Sequence, residues 1–145
     1  MNPAKKKILL VDNNEFTRLM FSDIFWLHGL DDECEFSVAT TVEEALPIIN
    51  AEATRPDVVF TGLVMPIEKN GKTEISAEAG FSLIEKIKSN PETKSVRVVV
   101  FSDYDEEGYR EHAKTLGAEM YLKKDSSIPQ DLIRIVHSLD TTSAI

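Results

Sequence analysis

The sequence predicts a doubly wound α/β domain, a (βα)5 unit with a five-stranded parallel sheet and helices on both faces. Three observations carry this. Short apolar, β-branched runs alternate strictly with longer segments of helical period. Three of those runs are continuously apolar, as strands buried on both faces are. The 145 residues, 42% of them hydrophobic, fit one domain over residues 1–145 with a sizeable core.

The elements follow in order. A strand over Lys7–Val11 leads to a helix over Glu15–Leu27, and Gly29 stands where a residue just past a helix end would. The second pair is Glu35–Ala39 and Val42–Ala51. Pro47 lies inside that helix and removes a hydrogen bond, so the helix is expected to kink or to start late. The third pair is Asp57–Thr61 and Phe81–Lys88, the fourth Val96–Phe101 and Asp105–Leu116, with Gly117 closing the latter. Asp103 to Glu106 reads as a weak capping box for the fourth helix. The fifth pair is Met120–Lys123 and Ile128–Leu139, opened by a capping box at Ser127–Gln130, and residues 140–145 read as a frayed tail.

One connection is out of proportion. Links in such folds usually run about 2–6 residues. Here an insert over residues 67–79 separates the third strand from its helix. Within it, IEKNGKTEI sets Asn70-Gly71 between two short alternating arms, which reads as a β-hairpin leaning on the domain.

Composition narrows the function. The formal net charge of -9 repels phosphate backbones and argues against nucleic acid as a direct partner. Cys34 is the single cysteine, so neither a disulfide framework nor a cysteine metal cluster is expected. No apolar run approaches the roughly 18 residues of a membrane span, and no signal-peptide pattern opens the chain, so no membrane association and a cytoplasmic location are expected. His28, His112 and His137 fall on different helices at no ligand spacing.

In an open parallel sheet, ligands bind at the carboxyl ends of the strands, at the topological switch point. With strand order 2-1-3-4-5 that point lies between the first and third strands. The first delivers Asp12, Asn13 and Asn14, the third Gly62, the fourth Ser102 and Asp103, and the fifth Lys124 and Asp125. Each taken singly reads as an N-cap or a solvated strand end. Together they gather a carboxylate, carboxamides, a hydroxyl and an ammonium at one rim.

The joint pattern resembles the receiver domain of bacterial response regulators, of the CheY-like kind. The matching stretches are KILLVDNN, PDVVFTGLVMP, VVVFSD and LGAEMYLKKD, in order from Lys6 to about Leu139, with SNPET before the fourth strand. The resemblance implies a flavodoxin-like fold and a signalling role in two-component or phosphorelay pathways. It implies that Asp12 and Asn13 stand at the acidic pair that helps to hold Mg²⁺, and Gly62 at the aspartate that accepts phosphate. Ser102 and Tyr121 match the switch hydroxyl and the aromatic that moves with it. Lys124, placed by the spacing from Gly117, matches the lysine on the phosphoryl oxygen.

Two of these positions have lost their chemistry. Phosphorylation needs an oxygen nucleophile, and Gly62 has no side chain. Thr61 is a poor substitute because adjacent strand residues point to opposite faces. Mg²⁺ wants hard oxygen ligands, usually carboxylates, and Asn13 offers a carboxamide. The expectation is a degenerate, stand-alone receiver that is not an enzyme, has no catalytic or metal-ligating set, and binds Mg²⁺ weakly or not at all. It would act by binding a signalling protein (a sensor kinase, a phosphotransfer protein or an output protein). On the first helix, Met20, Phe21, Ile24 and Phe25 should face the sheet. Phe16, Leu19, Trp26 and Leu27 fall outside that arc, and Phe16, Leu19 and Trp26 form a candidate partner patch. The resemblance also implies that a homodimer could form through the face from the fourth strand to the fifth helix. Two alternatives stand beside this reading. A conventional receiver could use a non-standard acid, with Asp103 lending a carboxylate. A haloacid-dehalogenase-like phosphatase would use Asp12, Ser102 and Lys124, although Asn14 stands where its acid–base aspartate is needed and no acidic pair follows the fourth strand.

Overall fold

The computed structural model describes residues 5–103, 108–124 and 133–137. The chain runs β1 (Lys6–Val11), α1 (Glu15–Leu27), β2 (Cys34–Ala39), α2 (Val42–Asn50), β3 (Val58–Thr61), β4 (Met65–Lys69), β5 (Lys72–Ser76), α3 (Glu78–Ser89), β6 (Arg97–Ser102), α4 (Tyr109–Leu116) and β7 (Met120–Lys123). Residues 133–137 are also helical. The main sheet is parallel, in the order β2-β1-β3-β6-β7. With the inserted ribbon β4–β5 set aside, this is the expected 2-1-3-4-5 order of a flavodoxin-like sheet.

Strand alternation divides the core in two. Leu9, Val11, Val59, Val98 and Val100 face one side and pack under α2, α3 and Ala113 of α4. Ile8, Leu10, Val58, Phe60, Val99 and Phe101 face the other, under α1 and Ile135 and Val136. The ring of Phe21 centres that second layer, edge-on to Phe60 at 5.3 Å and to Phe101 at 5.1 Å. Phe21, Ile24 and Phe25 are buried and Met20 packs partly against them, so α1 turns the expected arc to the sheet.

Several boundaries differ from expectation for physical reasons. In α2, Pro47 neither delays the start nor shortens the helix, which opens at Val42 under a Thr41 side chain that accepts from the Glu44 N–H. The helix α3 opens at Glu78, not Phe81. Gly80 reads locally as a breaker, yet it lies in the first turn because the helix must touch the loop after β3: a Cβ there would stand 2.5 Å from the Gly62 carbonyl oxygen and 2.6 Å from Leu63 Cα. We therefore expect Gly80→Ala to cost about 2–3 kcal/mol in urea unfolding, as overpacking against backbone does; an unchanged midpoint would mean that the loop yields freely. The helix α4 opens at Tyr109, not Asp105. Its N-cap is Gly108 at φ +88°, so Asp103 is not the cap of that helix. Residues 104–107, the Ser127–Gln130 capping box, Asp125 and the tail 140–145 lie outside the described residues.

The insert forms an antiparallel ribbon that begins at Met65, two residues before the expected start, and α3 takes over its last residues. Asn70 at φ +52° and Gly71 at φ +77° make its two-residue turn, the positive pair that a tight hairpin requires. The inner face is anchored: Met65 is fully buried, Ile67 packs on the core, and Lys69 pairs with Glu78 of α3.

Candidate functional site

The carboxyl ends of β1, β3, β6 and β7 open on one cleft of about 200 Å³. Asp12, Asn13, Asn14, Gly62, Ser102, Asp103 and Lys124 line it, with Leu63, Val64 and Ile75. The structure thus gathers seven of the eight rim residues singled out in the sequence, among them the five of the degenerate pocket, Asp12, Asn13, Gly62, Ser102 and Lys124. It does not gather Tyr121. That ring is half-buried on the α4 side, 4.7 Å beneath the Arg110 guanidinium, and Arg110 Nη1 also donates to the Tyr121 carbonyl at 3.0 Å.

The cleft is organised around Asp12, which is 2% exposed. Its Oδ1 accepts from the Asn14 N–H at 2.8 Å. Its Oδ2 accepts no well-formed hydrogen bond and meets the Lys124 ammonium as an ion pair at 2.8 Å. Lys124 Nζ also donates to Thr17 Oγ1 at 2.9 Å, and Asp103 stands 4.0 Å away, more than half exposed. The Lys124 N–H donates to the Ser102 carbonyl at 3.0 Å, which fixes the turn that aims the ammonium inward. Ser102 is itself buried. Asn14 caps α1 by accepting from the Thr17 N–H at 3.0 Å, so its side chain is committed and does not serve as the acid that a dehalogenase-type reaction would need.

At Gly62 the missing side chain leaves little open space. A Cβ there would meet Asp12 Oδ2 at 3.2 Å and Met65 Sδ at 3.8 Å. Thr61 is fully buried, and its hydroxyl donates to the Gly62 carbonyl at 2.8 Å, turned away from any role as a nucleophile. The donor set does not suit Mg²⁺. One buried carboxylate is already matched by an ammonium, Asn13 is neutral, and Asp103 is mostly in solvent. Among the described residues, no group of three or more His, Cys, Asp and Glu could hold a metal ion.

Sequence reasoning did not single out Thr17, Arg18, Ile75 or Gly80 for the site. Arg18 Nη1 donates to the Asp12 carbonyl at 3.1 Å and fixes the end of β1. Gly80 carried a signal, since a glycine inside a helical pattern usually marks close packing. Ile75 carried none, because only the fold of the ribbon brings it to the rim.

A parallel sheet of this order, with its site at the switch point and a lysine reaching back to the first strand, defines a receiver-type signalling module. The chain belongs to the response regulator receiver domain family, whose model matches residues 8–137. It is 30% identical over 139 residues to protein-glutamate methylesterase/protein-glutamine glutaminase 1 of Syntrophomonas wolfei subsp. wolfei, covering 93% of this chain and 34% of that relative, about a third of its length. Among solved structures, it resembles the phosphorylated cyanobacterial phytochrome response regulator RcpA, with a TM-score of 0.73, 25% identity, and 94% and 92% of the two chains covered. It also resembles the chemotaxis protein CheY4 of Vibrio cholerae, with a TM-score of 0.72, 21% identity, and 93% and 98% covered. Receiver domains of this family operate in two-component signalling and interact with kinases and output proteins. Among the described residues, no helix is long and apolar enough to cross a membrane.

Proposed function

We propose that this receiver has lost metal-dependent phosphoryl transfer, is not an enzyme, and signals by binding a protein partner whatever its phosphorylation state. The observation that carries the reading is Gly62, at the end of β3 and facing Asp12, where the family's chemistry needs a carboxylate. The Lys124–Asp12 ion pair supports it, since it uses within the domain the charge that a phosphoryl group and a metal would otherwise share. Incubation with acetyl phosphate and millimolar Mg²⁺ is expected to leave the intact mass unchanged. Mg²⁺ is also expected to leave the melting temperature where it was, because a ligand stabilises only when it exceeds its dissociation constant. A phosphorylated mass or a clear Mg²⁺-dependent upshift would overturn the reading.

A second reading rests on Asp103, whose carboxylate lines the cleft 4.0 Å from Lys124 and is not the N-cap of α4. It would be the acceptor in a conventional phosphorelay. The same mass measurement decides: an adduct abolished by Asp103→Asn would favour this second reading.

The partner surface in our reading is the outer face of α1. Phe16 is 83% exposed, Leu19 55% and Trp26 70%, beside an equally open Leu27. Changing Leu19 and Trp26 together to Gln is expected to leave folding within about 0.5 kcal/mol, as exposed substitutions do, and to abolish association with the kinase, phosphotransfer or output protein. Loss of folding in the double variant would assign both residues to the core and end the idea.

A further inference from the structure

We infer that the inserted ribbon is a dimerisation element, in which β5 pairs antiparallel with β5 of a second copy of this chain. The ribbon has two outer edges, and they are not equivalent. A two-residue turn makes Lys69 and Lys72 a hydrogen-bonded pair, and bonded pairs then alternate along the ladder. Pro66–Ile75 and Glu68–Thr73 are the unbonded pairs, so their backbone groups point outward. On β4 one of those outward positions is Pro66, which has no N–H; that edge is blunted, as exposed edges commonly are. On β5 the outward groups belong to Thr73 and Ile75, both exposed, and no further strand among the described residues pairs with them. Ile75 adds an apolar side chain that is 63% exposed. Among the described residues, the ribbon leaves one unpaired edge with full hydrogen-bonding capacity.

Charge selects the occupant. With a twofold axis through Thr73, the two Thr73 residues exchange both backbone bonds. Lys72 then lies opposite Glu74 of the second copy, and Glu74 opposite its Lys72. Ile75 lies over Gly71 of the second copy, which has no side chain to collide with it. The neighbouring register, centred on Glu74, would set the two Glu74 side chains against each other. Opposite charges directly across a strand pair stabilise and like charges destabilise, so the edge is complementary to itself in one register. Pairing would also turn an isolated two-stranded ribbon into a four-stranded sheet, a stabler unit. The joint is small beside the roughly 1,200 Å² of a standard interface, so the dimer is expected to depend on concentration. Because Ile75 also lines the cleft, the second copy would sit at the rim of the Asp12–Lys124 site.

The test is a charge exchange read by sedimentation equilibrium, with circular dichroism to check folding. The unmodified chain is expected to dimerise as concentration rises. Lys72→Glu alone and Glu74→Lys alone each place like charges across both joints and should weaken self-association about tenfold or more. An equimolar mixture of the two variants restores both opposite-charge pairs and should recover a heterodimer. The inference is overturned if the unmodified chain stays monomeric across the range. It is equally overturned if the single variants dimerise as the unmodified chain does, which would place the joint on another surface, or if the mixture fails to recover association.

Discussion

Gly62→Asp combined with Asn13→Asp is expected to give a protein that binds Mg²⁺ and gains the mass of one phosphoryl group from a small phosphodonor, where the parent gains nothing. The first change supplies an oxygen nucleophile at a strand end that already opens on the cleft, and the second adds a metal carboxylate beside Asp12. Ser102 and Lys124 are in place around the same space. Gly62→Asp alone should do little. Its Cβ would stand 3.2 Å from Asp12 Oδ2, so the two carboxylates would crowd each other, and metal binding depends on ligand charge and number. Without Mg²⁺ the double variant should be less stable than the parent, since clustered carboxylates repel and raise one another's pKa. Intact mass and a Mg²⁺ titration of the melting temperature check this. A folded double variant that takes neither metal nor phosphate would show that the ribbon has remodelled the site beyond receiver geometry.

Lys124→Met is expected to destabilise the domain by about 3 kcal/mol near neutral pH, measured by urea unfolding. The Asp12 side chain is 3% exposed and that of Lys124 13%, and the pair stands at 2.8 Å. Removing the ammonium strands a buried carboxylate whose Oδ2 has no well-formed hydrogen bond to fall back on. Asp12→Asn added to Lys124→Met should recover much of the loss, because two neutral groups replace one unmatched charge. A single variant as stable as the parent would mean that water in the cleft solvates Asp12 adequately and that the ion pair is not structural.

Much of the fold was legible because its signals are local and agree. The apolar runs of β1, β3 and β6 and the Asn70-Gly71 turn need no tertiary context to be recognised. The misplaced start of α3 is one where tertiary contact overrides local preference. Gly80 lies in the first turn of that helix with backbone against it; the start of α4 is a separate case, where Gly108 supplies the left-handed cap with nothing among the described residues packed against it. The cleft was legible from topology, since strand ends in a known order must meet at one rim. Thr17 and Ile75 were not, because the register of α1 against β7 and the lean of the ribbon arise from packing over long separations. For Tyr121 the spacing found the residue, while its placement under Arg110 depends on α4, which the spacing does not describe.

The bond from Lys124 to Thr17 joins residues 107 positions apart. Every pairing in the main sheet is parallel and needs a crossover, so the chain must close long loops before distant contacts reward it. The cleft is therefore expected to be among the last features to form during folding. On a ribosome the N-terminal segment emerges first, and α1 would wait, with its sheet-facing and outer apolar residues both uncovered, for β6 and β7 to arrive. For that interval the surface proposed for a signalling partner and the surface needed for the core form one continuous sticky helix. Chaperone demand and aggregation during synthesis should accordingly track the hydrophobicity of α1 more closely than that of α2, α3 or α4.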